Sequence, residues 1–103
     1  MNQGTIFRRP DNPDYPYFVI AQTEPLESLN TRVIIPFVRW RPALPGMSKI
    51  NPIVVIGDEK YILMTHLIQT VYLHELNEED IHSYRAELRD TLVNAVDFLV
   101  TGS

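Results

Sequence analysis

Cysteine is missing from all 103 residues, which removes disulfide staples, thiolate nucleophiles and cysteine-ligated zinc from consideration. Glycine is sparse, with four copies, and none sits in a Gly-rich phosphate loop of either common type. Basic residues are outnumbered, nine Lys and Arg against 13 Asp and Glu, for a net charge of -4. That balance disfavours the phosphate neutralisation that gives nucleic-acid binders most of their affinity. No apolar run approaches the roughly 18 to 20 residues of a membrane span. The opening Met1-Asn2-Gln3-Gly4 lacks the basic, apolar, small-residue order of a secretory signal. A soluble, cytoplasmic chain is expected.

What is present is a globular composition, 45% apolar, at a length suited to one domain over residues 1–103 with a core that needs no staples. The most informative stretch is Pro52 to Thr65, two β-branched-rich runs joined by Gly57-Asp58-Glu59-Lys60. It predicts a β-hairpin in the core of a small sheet. The run Ile53-Val54-Val55-Ile56 is apolar throughout, so both faces are expected to be covered, and Gly57-Asp58 supplies tolerance for positive φ at a tight reversal.

Upstream, Thr5–Arg9 and Tyr17–Gln22 read as strands separated by a proline-rich loop, and Arg32–Val38 as a third, with Pro36 marking an edge, a bulge or a bend. Gln69–Leu73 offers one more strand, and period two ends near Leu76. From Ile81 the apolar residues fall at Ile81, Tyr84, Leu88, Leu92, Ala95 and Leu99, steps of three and four that predict a helix capped by Asn77 or Ser83. Val93, Val96 and Val100 form a second apolar stripe with the same spacing. One stripe can cover the sheet; the other calls for a partner, and two copies packed about a two-fold axis would bury it symmetrically.

Catalytic signatures are wanting. His66, His74 and His82 are eight apart across different predicted elements, not at the i, i+4 spacing that puts two imidazoles on one helical face. Ser28, Ser48, Ser83 and Ser103 lie in no motif, and Glu78-Glu79-Asp80 read as solvated charge. Arg8-Arg9 and Arg39-Trp40-Arg41 have the guanidinium and aromatic content of an RNA contact, but strand alternation accounts for the second group as an ordinary half-buried strand end. No enzyme, metal or cofactor is expected.

Taken together, Tyr17-Phe18-Val19, Gln22 with Leu29 through Pro36, Pro52 through Glu59 with Met64-Thr65, and Asn94 through Leu99 leading to Gly102 resemble the CcdB family of bacterial toxins. The resemblance covers nearly the whole chain. It implies a mainly β fold, an SH3-like, partly open barrel with a C-terminal helix, and a homodimer formed through that helix end, here Val93, Val96 and Val100. It implies a non-catalytic toxin that binds the dimerisation domain of the DNA gyrase A subunit and traps gyrase on cleaved DNA. A cognate antitoxin would neutralise it and with it repress the operon, so that DNA is met only through the antitoxin.

The family's gyrase-facing residues map onto Asp97, Val100, Thr101, Gly102 and Ser103, and onto Pro25 and Leu26 after the second strand. The best-known pattern ends in Trp-Gly-Ile and carries two isoleucines where this chain has Pro25-Leu26. Losing a buried tryptophan of about 150 to 250 Å² forfeits about 3 kcal/mol, on the order of a hundredfold in affinity for an unchanged pose. The alternatives are a degenerate relative that binds antitoxin without harming gyrase, and a ribonuclease like the Kid and MazF toxins, which use the same barrel. The latter needs Arg8, Arg32 or Arg39 to meet His66 or Asp58 in one groove.

Overall fold

The computed structural model describes residues 2–23, 28–42 and 49–102. Its strands are β1 (Thr5–Arg8), β2 (Tyr17–Ile20), β3 (Thr31–Arg39), β4 (Ile53–Ile56), β5 (Glu59–Leu63), β6 (Gln69–Tyr72) and β7 (Ile81–Tyr84), followed by helix α1 (Arg89–Thr101). They form one antiparallel sheet in the order β4-β5-β3-β2-β1-β7, with β6 added to β3. The sheet curls into a half-barrel closed over by α1.

β3 is the hub. Its first half pairs with β6 through Thr31↔Tyr72 to Ile34↔Gln69, its last third pairs with β5 through Phe37↔Leu63 to Arg39↔Tyr61, and β2 runs along the other edge. Pro36 sits where the partner changes. Its carbonyl accepts from the Met64 N–H at 2.9 Å, and the N–H and C=O of one strand residue point to the same side. The missing proline donor therefore faces the gap between β5 and β6, filled by a helical turn at Thr65–Leu67, and no ladder bond is lost.

Neighbouring residues on β1, β2 and β3 feed two different cores, because successive side chains leave opposite faces of a strand. Ile6, Val19, Ile35 and Phe37 pack with Val54, Ile56, Tyr61, Leu63 and the helix residues Leu88, Leu92 and Ala95 inside the half-barrel. Phe7, Phe18, Ile20 and Ile34 form the second core with Val71, Leu76 and Ile81, its Phe7 and Phe18 rings stacked at 5.0 Å. The all-apolar runs of these strands thus reflect two covered faces.

β4 departs from that expectation: Val55 is 49% exposed between buried Val54 and Ile56. It is an edge strand with one solvated face. The hairpin itself pairs Ile56 with Glu59, leaving a two-residue turn. Gly57 takes φ +62 and no described non-glycine residue has positive φ, the signature of a type II′ reversal. Asp58 needs no such tolerance.

The helix expected from Ile81 begins at Arg89 instead. Ile81–Tyr84 is the edge strand β7, paired with β1, and a helical turn at Ala86–Leu88 leads into α1. Steps of three and four at Ile81, Tyr84 and Leu88 arise from a strand followed by a turn, and β1 needs a second neighbour for its backbone groups. Asn77 caps only the helical turn Glu78–Asp80, its Oδ1 accepting from the Glu79 N–H at 3.0 Å. α1 has Leu88 at its N-cap, with no side-chain cap bond.

One contact ties the seam between the outer strands. Arg85, just after β7, donates from its guanidinium to the Val55 carbonyl of β4 at 2.7 Å. Gly4 fits against the same corner at φ +97, where a Cβ would stand 2.6 Å from the Arg85 carbonyl oxygen.

A candidate binding surface at the end of the helix

α1 divides its apolar residues as the two-stripe spacing predicts. Leu88, Leu92 and Ala95 are buried against the half-barrel. Val93 and Val100 face outward, 40% and 75% exposed, and Val96 lies between them, packed on the edge of the core. Leu99, predicted for the core side, is 36% exposed.

The helix stops by local chemistry. Gly102 adopts the left-handed region at φ 75 and its N–H donates to the Phe98 carbonyl at 2.8 Å. Thr101 Oγ1 donates to the Asp97 carbonyl at 2.7 Å. The first is the last i→i−4 bond of the ladder and the second adds a side-chain donor to a carbonyl of the same turn. Val100, Thr101 and Gly102 are all exposed, so a defined apolar and polar tip projects from the fold.

Of the other residues predicted for this surface, Pro25, Leu26 and Ser103 lie outside the described residues. Thr23, close before Pro25 in the chain, lines a cleft of about 150 Å³ with Gln3, Ala21, Val93, Val96 and Asp97. Gln3 Nε2 holds the Ala21 carbonyl at 3.0 Å. The segment leaving β2 and the helix stripe therefore share one surface, with Asp97 at its border. On its other flank Asp97 borders a second cleft with Lys49, Pro52, Thr91, Asn94 and Phe98. Lys49 and Phe98 were not anticipated; Phe98 falls off both periodic stripes, and Lys49 is remote in sequence.

The remaining candidates are dispersed. Arg8 donates to the Ile81 carbonyl at 3.2 Å, Arg32 is buried and donates to the Leu29 and Thr31 carbonyls at 2.7 and 2.8 Å, and Arg39 is paired with Glu59. His66 instead neighbours Asn51, at 3.4 Å. The three arginines occupy three separate settings. Lys60 lies over the Trp40 ring at 5.4 Å and Arg39 over Tyr61 at 5.6 Å, the strand-end arrangement that alternation predicts. Arg9 rests on Phe18 at 4.7 Å, and burial lowers its pKa.

His74 stacks on Tyr72 at 5.4 Å, while His82 meets the Tyr17 ring edge-on at 5.4 Å and Ser83 Oγ at 2.9 Å. Desolvation, then the Arg8 and Arg85 charges, lower the His82 pKa. Burial raises that of Tyr61, against the pull of Arg39. Among the described residues no cluster of three or more His, Asp or Glu could hold a metal, and no helix is long and apolar enough to cross a membrane.

The described chain is a curled β half-barrel closed by one helix, at whose end apolar and polar residues stand exposed side by side. The sequence model of the CcdB protein family matches residues 3–102, and the chain belongs to that family, the toxins of toxin–antitoxin systems. No curated protein matches it.

Proposed function

We propose that this chain is a gyrase-directed toxin that works as a homodimer. Val93, Val96 and Val100 of two copies pack about a two-fold axis, and the helix tips with the loops after β2 dock on the dimerisation domain of the gyrase A subunit. The dimer holds gyrase on cleaved DNA and itself makes or breaks no bond. A cognate antitoxin removes it and joins it in repressing the operon.

The observation that carries this reading is the exposed helix end: Val100 is 75% exposed beside Asp97, Thr101 and Gly102, on an element whose other face is fixed in the core. An apolar tip held this rigidly has little conformational freedom to lose on docking. Family membership supports the target, and the acidic net charge suits a protein that leaves DNA contact to its partner.

The test is a gyrase assay with the purified protein, scoring cleaved DNA released by denaturation, beside a variant lacking residues 101–103. Cleaved DNA that disappears with the truncation is the expected result; no trapping at micromolar protein would sink the reading. The double variant Thr101→Trp with Ser103→Ile adds a second discrimination. A tail already competent gains little from it, whereas a degenerate tail regains trapping.

A further inference from the structure

β7 carries a bulge at His82. Ile6 of β1 pairs with Ser83 and Phe7 pairs with Ile81, so His82 is the extra residue between the two pairs. Phe7 and Ile81 belong to the second core and Ile6 to the half-barrel core, and the bulge turns His82 to the same side as Ser83. Its Nδ1 lies 2.9 Å from Ser83 Oγ, and its ring meets Tyr17 edge-on at 5.4 Å. Arg8 is the cross-strand partner of Tyr17 and so shares that face. Arg85, two residues past Ser83, returns to it as well and spans the seam to the Val55 carbonyl at 2.7 Å.

We propose that His82 is an acid-operated latch on this seam: a proton on its ring drives the Arg85 guanidinium off the Val55 carbonyl and frees the β4 edge, while the neutral ring lets the strap stay closed. The groups around the ring support this. Arg8 comes from β1, and Tyr17 from β2. Behind Tyr17, edge-on at 5.1 Å, stands Tyr61 of β5, itself beside Arg39 and Glu59. Arg85, paired with Glu87, comes from the segment after β7. The Arg8 and Arg85 charges add to desolvation in disfavouring the imidazolium. Arg8 is exposed and can turn into water when a further positive charge forms beside it. Arg85 is largely covered, its side chain 28% exposed, and is committed to β4, so the repulsion it feels is relieved by breaking that bond.

The experiment follows backbone amide exchange, corrected for the intrinsic effect of pH, in the full chain, in His82→Gln and in Arg85→Ala. Each is measured at about pH 7.5 and at the lower pH where the ring resonance of wild-type His82 shows it protonated. In the wild type the β4 amides paired with β5 are expected to lose protection about tenfold on acidification, while those of β2 and β3 keep theirs. His82→Gln is expected to hold β4 protection constant, and Arg85→Ala to start low and stay there. Wild-type β4 amides that keep their protection in acid overturn the latch. So does a loss shared equally by β2, β3 and β4, which is global unfolding, and so does an acid loss that persists in His82→Gln. If His82→Gln does not fold, Arg85→Ala decides: β4 protection that still falls with acid in that variant overturns the latch as well.

Discussion

Arg85 and Val55 close the half-barrel: a guanidinium nitrogen that follows β7 reaches the carbonyl of β4 across the open seam at 2.7 Å. These strands end the sheet path and share no ladder, so a side chain substitutes for the backbone bonds that full closure would supply. Glu87 pairs with the same guanidinium and holds it in place. Replacing Arg85 with alanine leaves the Val55 carbonyl to water and frees the hairpin edge. A partly exposed charge-assisted bond of this kind contributes about 1 to 2 kcal/mol. Arg85→Ala should therefore lower the thermal midpoint by roughly 5 to 10 °C. Arg85→Lys should recover only part of this, because an ammonium lacks the planar fork that serves both partners. An unchanged midpoint would remove the seam contact from the account of stability.

The same corner sets the most demanding glycine. Gly4→Ala combines φ +97 with a Cβ 2.6 Å from backbone oxygen, whereas at Gly102 a Cβ meets nothing within 4 Å. Both pay for the left-handed region, about 1 kcal/mol, but only Gly4 adds a clash with an atom that cannot turn aside. Chemical denaturation should show Gly4→Ala losing about 2 to 3 kcal/mol and Gly102→Ala about 1 kcal/mol. Equal losses would mean that the Gly4 corner relaxes.

Much of this architecture is legible in the chain because patterning and topology agree. Runs such as Phe18-Val19-Ile20 and Val33-Ile34-Ile35 announce strands, and Gly57 announces the reversal. The stripe at Val93, Val96 and Val100 is visible as spacing alone. What misleads is the segment around Ile81. Three apolar residues at steps of three and four fit a helix, yet β1 needs a second strand beside it, and that non-local demand decides the conformation. Val55 fails for a similar reason, since an apolar residue on an edge strand looks the same in sequence as one in the middle of a sheet. Lys49 and Phe98 were invisible because nothing in a chain read linearly brings residue 49 to residue 98.

Acid should loosen β7 through His82. Desolvation, then Arg8 and Arg85, lower its pKa in the folded protein below the ordinary 6.5, and the ring also contacts Tyr17 and Ser83. The unfolded chain therefore binds a proton that the folded one refuses, and stability rises with pH across that interval. The contribution is fully present above about pH 6.5 and is lost as pH falls from there through the depressed folded value. Glu87, whose pKa Arg85 lowers from 4.5, loses its contribution only in a more acidic window. Stability measured against pH should show a descent beginning near neutrality that His82→Gln abolishes and a later one that it leaves intact. A wild-type profile flat from pH 7 to the carboxylate range would remove His82 as its source.

Oligomeric state offers the sharpest test of the helix stripe. Val100 is 75% exposed, so Val100→Asp removes almost nothing from the monomer's core and should leave its thermal midpoint within about 0.5 kcal/mol of wild type in free-energy terms. In a two-fold dimer the same change appears twice and sets two carboxylates near the axis, each replacing an apolar side chain whose full burial is worth about 1.5 to 3 kcal/mol. Light scattering coupled to size-exclusion chromatography should find a dimer for the wild type and a monomer for Val100→Asp at micromolar concentration. Val93→Asp, about two helical turns earlier on the same stripe, should do likewise. Asn94→Asp, on the opposite flank beside Lys49, should not. A variant that stays dimeric would place the two-fold interface elsewhere and remove the exposed valines from it.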